Sequence, residues 1–365
     1  MIYVTKPYLP PLEEMMPYLE KIWESGIVSN SGPFHQELET QMCEYLGVDH
    51  ISLFSNATIA LIVAVKALNI TGEVITTPFS FVATAHSLLW NNVTPVFVDI
   101  DPTSLNMDPT KIESAITSQT TGILPVHVYG HPCDVDEIEK IATKNKLKVI
   151  YDAAHSFGVN CHCGSILNHG DLSVVSFHAT KVFNTFEGGA IISKNREIKL
   201  YIDHLKNFGF VDEITLDQTG INGKMSEFNA ALGLVQLKYI DKIINKRKVI
   251  SDHYESQLAK IEGISCISST GEMKSNYSYF PILVKNSFPI SRDDLYDKLK
   301  LNGIHARKYF YPLIPNFPMI HDMYSFGSEP LPVANRVSSE VLCLPIYPDL
   351  EINIVDMICS LIEAP

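Results

Sequence analysis

The sequence predicts an α/β protein with a largely parallel sheet, helices on both of its faces, and a smaller α+β region after it. Short apolar runs alternate with helical patterns along most of the 365-residue chain, which is the order of elements in parallel-sheet proteins. An apolar content of 46% is enough to fill cores of full size. An acid and a lysine each follow an apolar run, at the positions where parallel sheets present their chemistry.

Seven apolar runs are predicted as strands, and they cover residues 50–54, 73–76, 95–98, 122–126, 147–151, 172–177 and 190–193. Helical spacing predicts helices over residues 10–25, 34–46, 57–68 and 134–144. A charged helical stretch at 240–248 is predicted to link two domains. We therefore expect a large domain over residues 1–245, with the N-terminal helix, and a smaller C-terminal domain over residues 246–365. The smaller domain is predicted to contain a strand over 277–284, a helix over 291–302 and a terminal helix.

The net charge and the number and spacing of the cysteines argue against several classes of protein. A net charge of −13 disfavours a nucleic-acid surface, so an anionic substrate needs locally placed cations or backbone amides. Seven scattered cysteines indicate a reduced, cytoplasmic protein. The first residues lack a signal-peptide pattern, and we find no apolar run of membrane-spanning length. Cys161-His162-Cys163 is too tightly spaced for the usual zinc hook, so we predict a short flap and no metal.

The sharpest candidate site pairs Asp152 with Lys181. Asp152 ends the apolar run 147–151, and Lys181 comes shortly after the run 172–177. These two residue types suit pyridoxal 5'-phosphate (PLP), because a lysine forms its Schiff base and an acid pairs with its pyridinium nitrogen. Burial lowers a lysine pKa and favours the nucleophilic amine. Each residue alone also has an ordinary interpretation, an ion-paired or capping acid and a lysine that extends to solvent.

Further candidates surround this pair in the chain. Ala57 and Thr58 open a helix after a strand, where free amides bind phosphate, although an ordinary helix cap is an equally simple interpretation. His155 could contact the phenolic oxygen of PLP, or be a structural histidine. Ser176 is a candidate second phosphate ligand, and His178 could line the substrate side. Glu187, before Gly188-Gly189, is predicted to orient the loop.

Two segments are candidates for substrate contacts. Asn222 and Lys224 lie on a glycine-rich stretch, Gly220-Ile221-Asn222-Gly223-Lys224, which could bind phosphate or form a simple turn. Arg307 and Tyr309 belong to a segment of cations and aromatics, 305–312, that could hold a diphosphate or a base. An exposed basic loop is the alternative there.

Taken together, these motifs resemble the DegT/DnrJ/EryC1/StrS family of nucleotide-sugar aminotransferases, PLP enzymes of aspartate-aminotransferase fold type I. The likeness covers nearly the whole chain. It is carried by Pro125-Val126-His127-Val128-Tyr129-Gly130, Asp152-Ala153-Ala154-His155, Ser176-Phe177-His178 with Lys181, and Glu187-Gly188-Gly189-Ala190. Each motif alone is weak, but the combination is specific.

The resemblance implies a role for each matching residue. Lys181 would be the Schiff-base lysine and Asp152 the pyridinium partner, while Thr58, Ser176 and the Ala57 amide would hold the phosphate. Phe81 would stack on the ring. Members are homodimers with shared sites, and Asn222 would reach the partner subunit's PLP.

Three departures from the family pattern bear on these roles. Lys224 replaces the usual Arg and lacks its bidentate fork. Ala57 replaces the commoner Gly, which is harmless only if its φ is negative. His155 stands where many aminating members carry Gln. Members that dehydrate the sugar replace the lysine itself by His, so the presence of Lys181 favours transamination.

The opening residues 4–11 and the segment 181–189 resemble members that use glutamate to aminate dTDP-4-keto-6-deoxyglucose at C4, for O-antigen and related surface glycans. Amination at C3 of a 3-keto sugar is the alternative with the same chemistry. A non-catalytic PLP-fold regulator is the alternative of a different class. The sequence leaves the aminated carbon and the nucleotide open.

Overall fold

A computed structural model of the chain describes residues 1–162, 164–267, 274–324 and 330–364. The helices are α1 (Leu12–Ser25), α2 (Pro33–Leu46), α3 (Ala57–Ala67), α4 (Ala83–Leu89), α5 (Val135–Asn145), α6 (Arg196–Leu205), α7 (Glu227–Leu237), α8 (Ile240–Leu258), α9 (Arg292–Leu301), α10 (Pro318–Tyr324), α11 (Pro332–Glu340) and α12 (Ile352–Glu363). The strands are β1 (Ile2–Tyr3), β2 (His50–Phe54), β3 (Glu73–Thr76), β4 (Thr94–Phe97), β5 (Thr120–Leu124), β6 (Lys148–Asp152), β7 (Asn160–Cys161), β8 (Gly164–Ser165), β9 (Leu172–Ser176), β10 (Gly189–Ser193), β11 (Ile264–Cys266), β12 (Phe280–Val284), β13 (Ile304–His305) and β14 (Val341–Leu344).

A seven-stranded sheet in the order β2-β10-β9-β6-β5-β3-β4 forms the centre of the protein. Six strands run in one direction, and β10 runs antiparallel to both of its neighbours, β2 and β9. The predicted α/β class with a mainly parallel sheet is therefore confirmed. The seven strands predicted for this sheet all exist, and their ends differ from the observed ones by at most two residues.

Both faces of this sheet are apolar, because successive side chains of a strand point to opposite faces. Val174 of β9 packs into a core with helix α3, and the next residue, Val175, packs into a second core that includes residues of α2 and α7. The pair Ile191 and Ile192 on β10 divides between the same two cores. The helices cover both faces, as the alternation of elements predicted.

A second, antiparallel sheet has the order β11-β12-β14 and packs with α9 and α12. Helix α8 joins the two regions. Its first half contributes Ile243 and Ile244 to the core of the large sheet, and its second half contributes Tyr254 and Leu258 to the core of the small one. The boundary at residue 245 stays a prediction. The first strand, β1, pairs with β13 rather than with the large sheet.

The predicted flap is a hairpin of β7 and β8. Cys161 lies on it, whereas Cys163 lies outside the described residues. Within the described ranges there is no group of three or more His, Cys, Asp or Glu side chains that could hold a metal ion. None of the helices in the described part of the chain is long and apolar enough to cross a bilayer.

Candidate active site

A cavity of about 260 Å³ lies at the carboxyl ends of the strands. The parallel strands β2, β6 and β9 end at this edge, and each delivers residues to the cavity wall. Nine of the predicted site residues line it, and these are Ala57, Thr58, Phe81, Asp152, His155, Ser176, His178, Lys181 and Tyr309. Residues far apart in sequence thus meet at one edge, as expected for a parallel sheet.

Asp152 is the last residue of β6 and is 5% exposed. Its Oδ2 accepts a hydrogen bond of 2.8 Å from the Thr84 hydroxyl, and its Oδ1 accepts one of 3.2 Å from the Ala154 amide. Burial raises the pKa of this carboxyl, while the two hydrogen bonds and the nearby Lys181 lower it. The two hydrogen bonds hold the carboxylate in one orientation, facing the cavity.

Lys181 follows β9 in a tight turn, where its amide donates to the carbonyl of His178 at 2.8 Å. Its Nζ lies 3.3 Å from the Tyr279 hydroxyl. Burial lowers the pKa of this lysine to about 8, against the opposing influence of Asp152 and Tyr309. About a tenth of the amine is therefore neutral and nucleophilic at pH 7, far more than in an unperturbed lysine.

His155 is buried, and burial together with Lys181 holds its pKa well below the ordinary value. Its Nδ1 accepts a hydrogen bond of 3.1 Å from the backbone amide of Tyr129. A neutral imidazole that accepts at Nδ1 carries its proton on Nε2. His155 therefore offers one N–H donor to a ligand from a fixed, uncharged ring.

The N-terminus of α3 forms another wall. Asn56 caps this helix and accepts from the amide of Ile59 at 2.9 Å, which leaves the first-turn amides of Ala57 and Thr58 for a ligand. Ala57 is the first helical residue, so its replacement of Gly brings no strain. Strand β10 comes so close that a Cβ on Gly189 would lie 2.6 Å from the Ala57 nitrogen, which explains the second glycine of the Glu-Gly-Gly motif.

The outer part of the cavity is aromatic and polar. Phe81 lines it and is 59% exposed. His178 is oriented by the Thr180 amide, which donates to its Nδ1 at 3.2 Å. The opposite nitrogen of His178 lies 3.6 Å from a carboxylate oxygen of Glu187. Glu187 thus lines the cavity with its side chain, in addition to the orienting role predicted for it.

Three predicted residues lie away from this cavity. Lys224 donates to the Asn207 side chain at 2.8 Å and sits over the ring of Phe208. Asn222 pairs with Asn207 in an isolated β-bridge. Arg307 is exposed and pairs through its backbone with Cys343. Within one described chain these three side chains are not part of the cavity that contains Lys181.

Sequence reasoning missed Thr84, Tyr279 and Phe310. Thr84 lies in the segment after β3 and supports Asp152, but a threonine in a helix has no distinguishing signal. Tyr279 and Phe310 line the cavity, yet Tyr279 lies in a predicted strand and Phe310 among the aromatics of the segment 305–312, so neither is distinguished by its neighbours in sequence. Their positions depend on the packing of the C-terminal region against the strand ends, which local patterns do not encode.

The sequence profile of the DegT/DnrJ/EryC1/StrS aminotransferase family matches residues 12–363. The chain therefore belongs to this family, and the predicted aminotransferase class is confirmed.

Two relatives, from Shigella dysenteriae and Escherichia coli, are each 56% identical to it over 99% of this chain and 98% of their own. Both are named dTDP-4-amino-4,6-dideoxy-D-glucose transaminase. The crystal structure of DesI in the presence of its TDP-sugar product superposes with a TM-score of 0.95 at 32% identity, covering 100% of this chain and 92% of that one.

Proposed function

We propose that the protein is a PLP-dependent transaminase that transfers the amino group of glutamate to C4 of dTDP-4-keto-6-deoxyglucose, giving dTDP-4-amino-4,6-dideoxyglucose. The observation that carries this proposal is the placement of the Lys181 amine and the Asp152 carboxylate in one cavity at the strand ends. The names of the two relatives at 56% identity support the choice of substrate and product.

The donor set of the cavity fits PLP. Asp152 supplies a buried carboxylate for the pyridinium nitrogen, and Lys181 supplies an amine of lowered pKa. The amides of Ala57 and Thr58, with the hydroxyls of Thr58 and Ser176, are suited to a phosphate at the N-terminus of α3. These assignments agree with the roles that the family resemblance implies.

When bound, PLP accepts the electrons that an amino acid releases at its α-carbon, so that the amino group can pass to a keto sugar. The protein side chains supply the other functions of the site. With PLP bound, Asp152 would pair with the pyridinium nitrogen, and the Nε2–H of His155 would be placed to donate to the phenolic oxygen. Phe81 would cover the ring. The Lys181 amine would serve as the general acid and base that holds and returns the transferred proton.

The outer wall of the cavity is proposed to bind the substrate. His178 and Tyr309 line it and are proposed to contact the sugar. Lys224 and Arg307 are proposed to act on the diphosphate. Lys224 and Asn222 lie outside the cavity of their own chain, and we therefore place both at the cavity of the partner subunit in a homodimer. Exposed aromatic residues beside these segments support such an interface.

The biological setting follows from the same proposal. A dTDP-linked amino sugar is a precursor for O-antigen and related surface glycans, and its synthesis would take place in the cytoplasm. The scattered cysteines agree with a reducing compartment.

The test is an end-point assay with purified protein, PLP and glutamate. One sample receives dTDP-4-keto-6-deoxyglucose and another receives the 3-keto isomer, and the product is identified by mass spectrometry and NMR. We expect an amine on C4 and none from the Lys181→Ala variant. An amine only from the 3-keto isomer would move the activity to C3, and substantial turnover by Lys181→Ala would contradict the assigned lysine.

A further inference from the structure

Tyr279 provides the hydroxyl that contacts the amine of Lys181. The two residues are 98 positions apart in sequence, and Tyr279 lies just before strand β12, in the C-terminal region. The Lys181 nitrogen is 3.3 Å from the phenol oxygen and 5.7 Å from the centre of its ring. The contact therefore joins the C-terminal region directly to the lysine.

The phenol ring is held by its neighbours. It packs edge-on against His155, with ring centres 4.9 Å apart, and against Tyr309, with ring centres 5.8 Å apart. Tyr129 contacts it from a third side at 5.7 Å. Because aromatic contacts of this kind restrict both side-chain torsions, the hydroxyl has one defined position above the cavity.

The backbone before Tyr279 is also anchored. The buried guanidinium of Arg247 donates to the carbonyls of Tyr277 and Ser278, at 3.2 and 3.3 Å. The Ser278 hydroxyl and the Asn276 amide both donate to the carbonyl of His155, at 2.9 and 2.7 Å. Segment 276–279 is thus tied to the loop that follows Asp152 at the end of β6 and carries His155.

We propose that Tyr279 is a positioning residue for Lys181, which keeps the lysine amine directed into the cavity whenever that amine is not covalently bound. The proposal rests on the function proposed for Lys181. A phenol suits this task because its oxygen accepts from an ammonium group and its O–H donates to a neutral amine. The contact therefore survives each change of protonation that a proton-transferring lysine undergoes.

The charge around Lys181 determines the expected effect of losing this contact. The titratable groups that face the amine are Asp152, His155, Tyr279 and Tyr309, and His178 and Glu187 line the same cavity. Burial raises the pKa of Tyr279, so its phenol stays neutral near pH 7. Loss of the phenol removes a hydrogen bond from both forms of the amine, but the bond to the ammonium form is the stronger one, so the pKa of Lys181 falls further.

The test uses the Tyr279→Phe variant, which keeps the ring and removes the hydroxyl. PLP-free protein is treated briefly with a small amine reagent across a pH series, and modification of Lys181 is measured by peptide mass spectrometry. Because only the neutral amine reacts, the midpoint reports the pKa of Lys181. We expect this midpoint to fall by about one pH unit, the difference between a hydrogen bond to a charged group and one to a neutral group.

Tyr277→Phe is the matched control, because it removes a half-buried phenol hydroxyl from the same segment, and the exposed Lys66 is an internal reference. The midpoint of Lys181 should be unchanged in Tyr277→Phe, and the midpoint of Lys66 should be unchanged in every variant. An unchanged or raised midpoint for Lys181 in Tyr279→Phe would overturn the proposal. The measurement needs neither glutamate nor a nucleotide sugar, so its outcome is separate from that of the end-point assay.

Discussion

At the scale of single residues, the charge of Asp152 depends on a balance between burial and hydrogen bonding. Burial favours the neutral form of Asp152. Among the groups that favour the carboxylate form, the Thr84 hydroxyl has the largest influence. Thr84 is itself buried and contacts the Ser80 hydroxyl at 2.8 Å. A cofactor nitrogen can keep its proton only while Asp152 is ionised. Thr84 therefore influences the charge of Asp152 although it does not line the cavity.

We therefore predict that Thr84→Val shifts the acid limb of the kcat/KM profile. Loss of the hydroxyl raises the pKa of Asp152, so activity disappears at a higher pH as the solution is acidified. We expect a shift of about one pH unit toward neutrality, measured as the pH dependence of transamination. Thr143→Val, at an exposed position, should leave the profile unchanged. An unmoved acid limb in Thr84→Val would mean that another group limits activity at low pH.

Some residues of the site could be predicted from the sequence, and others could not. Asp152 and Lys181 were recognisable because each follows an apolar strand, where a parallel sheet exposes its chemistry. Thr84 and Tyr279 were not recognisable, since their roles depend on contacts with residues 68 and 98 positions away. Their types are common in cores, and only the folded chain shows which atoms they meet.

At the scale of elements, helix α2 begins without a cap of its own. Gly32 precedes it and has no side chain, and the first-turn amides of Phe34 and His35 donate instead to the carboxylate of Glu227, at 2.8 and 2.9 Å. Glu227 lies in the first turn of α7 and is buried. A Cβ on Gly32 would lie 2.6 Å from its carboxyl carbon, so the glycine makes room for this cap.

We predict that Glu227→Ala destabilises the protein by about 2 kcal/mol, because two charge-assisted hydrogen bonds at a helix N-terminus are lost. Glu227→Gln should be milder, since its amide oxygen still accepts. The measurement is the midpoint of urea unfolding, with Glu20→Ala on the exposed side of α1 as the control. Equal midpoints for Glu227→Ala and the control would show that the cap contributes nothing to stability.

The elements themselves were largely predictable. Their periodicity is local, so the strands of the large sheet and the four helices predicted around it were located to within a few residues, whereas α4 and α6 were not predicted. The reversal of β10 was not predicted, because strand direction depends on the connection that precedes it. Helix α8 also extends to Leu258, ten residues beyond the predicted linking stretch. Its second half is fixed by packing against the small sheet rather than by charge.

At the scale of the whole molecule, two pairs of exposed apolar side chains are the basis for proposing that the chain binds a partner. Phe186 and Phe228 are each 41% exposed and stack with ring centres 5.9 Å apart. Phe208 and Ile221 are exposed as well, and the Phe208 amide donates to the carbonyl of Ile221 at 3.1 Å, beside Asn222. Exposed apolar residues grouped in this way are typical of protein interfaces, and a second copy of the chain is the partner we propose.

A shared site makes a quantitative prediction for mixed dimers. Lys181→Ala and Asn222→Ala chains should each be nearly inactive alone, because every site then lacks one of the two residues. If Asn222 completes the partner's cavity, a mixed dimer contains one doubly defective site and one intact site. Co-expressing the two chains in equal amounts should then restore about a quarter of the wild-type activity, since half of the dimers are mixed.

The matched control for this experiment mixes Lys181→Ala with Asp152→Asn. Both residues line the cavity of a single chain, so every site in a mixed dimer keeps one defect and activity should not return. Differently tagged chains establish that mixed dimers form. If tagged mixed dimers of Lys181→Ala and Asn222→Ala are isolated and remain as inactive as their parents, Asn222 does not serve the partner's site. Each cavity would then be complete within one chain, and the exposed aromatic surface would need a different explanation.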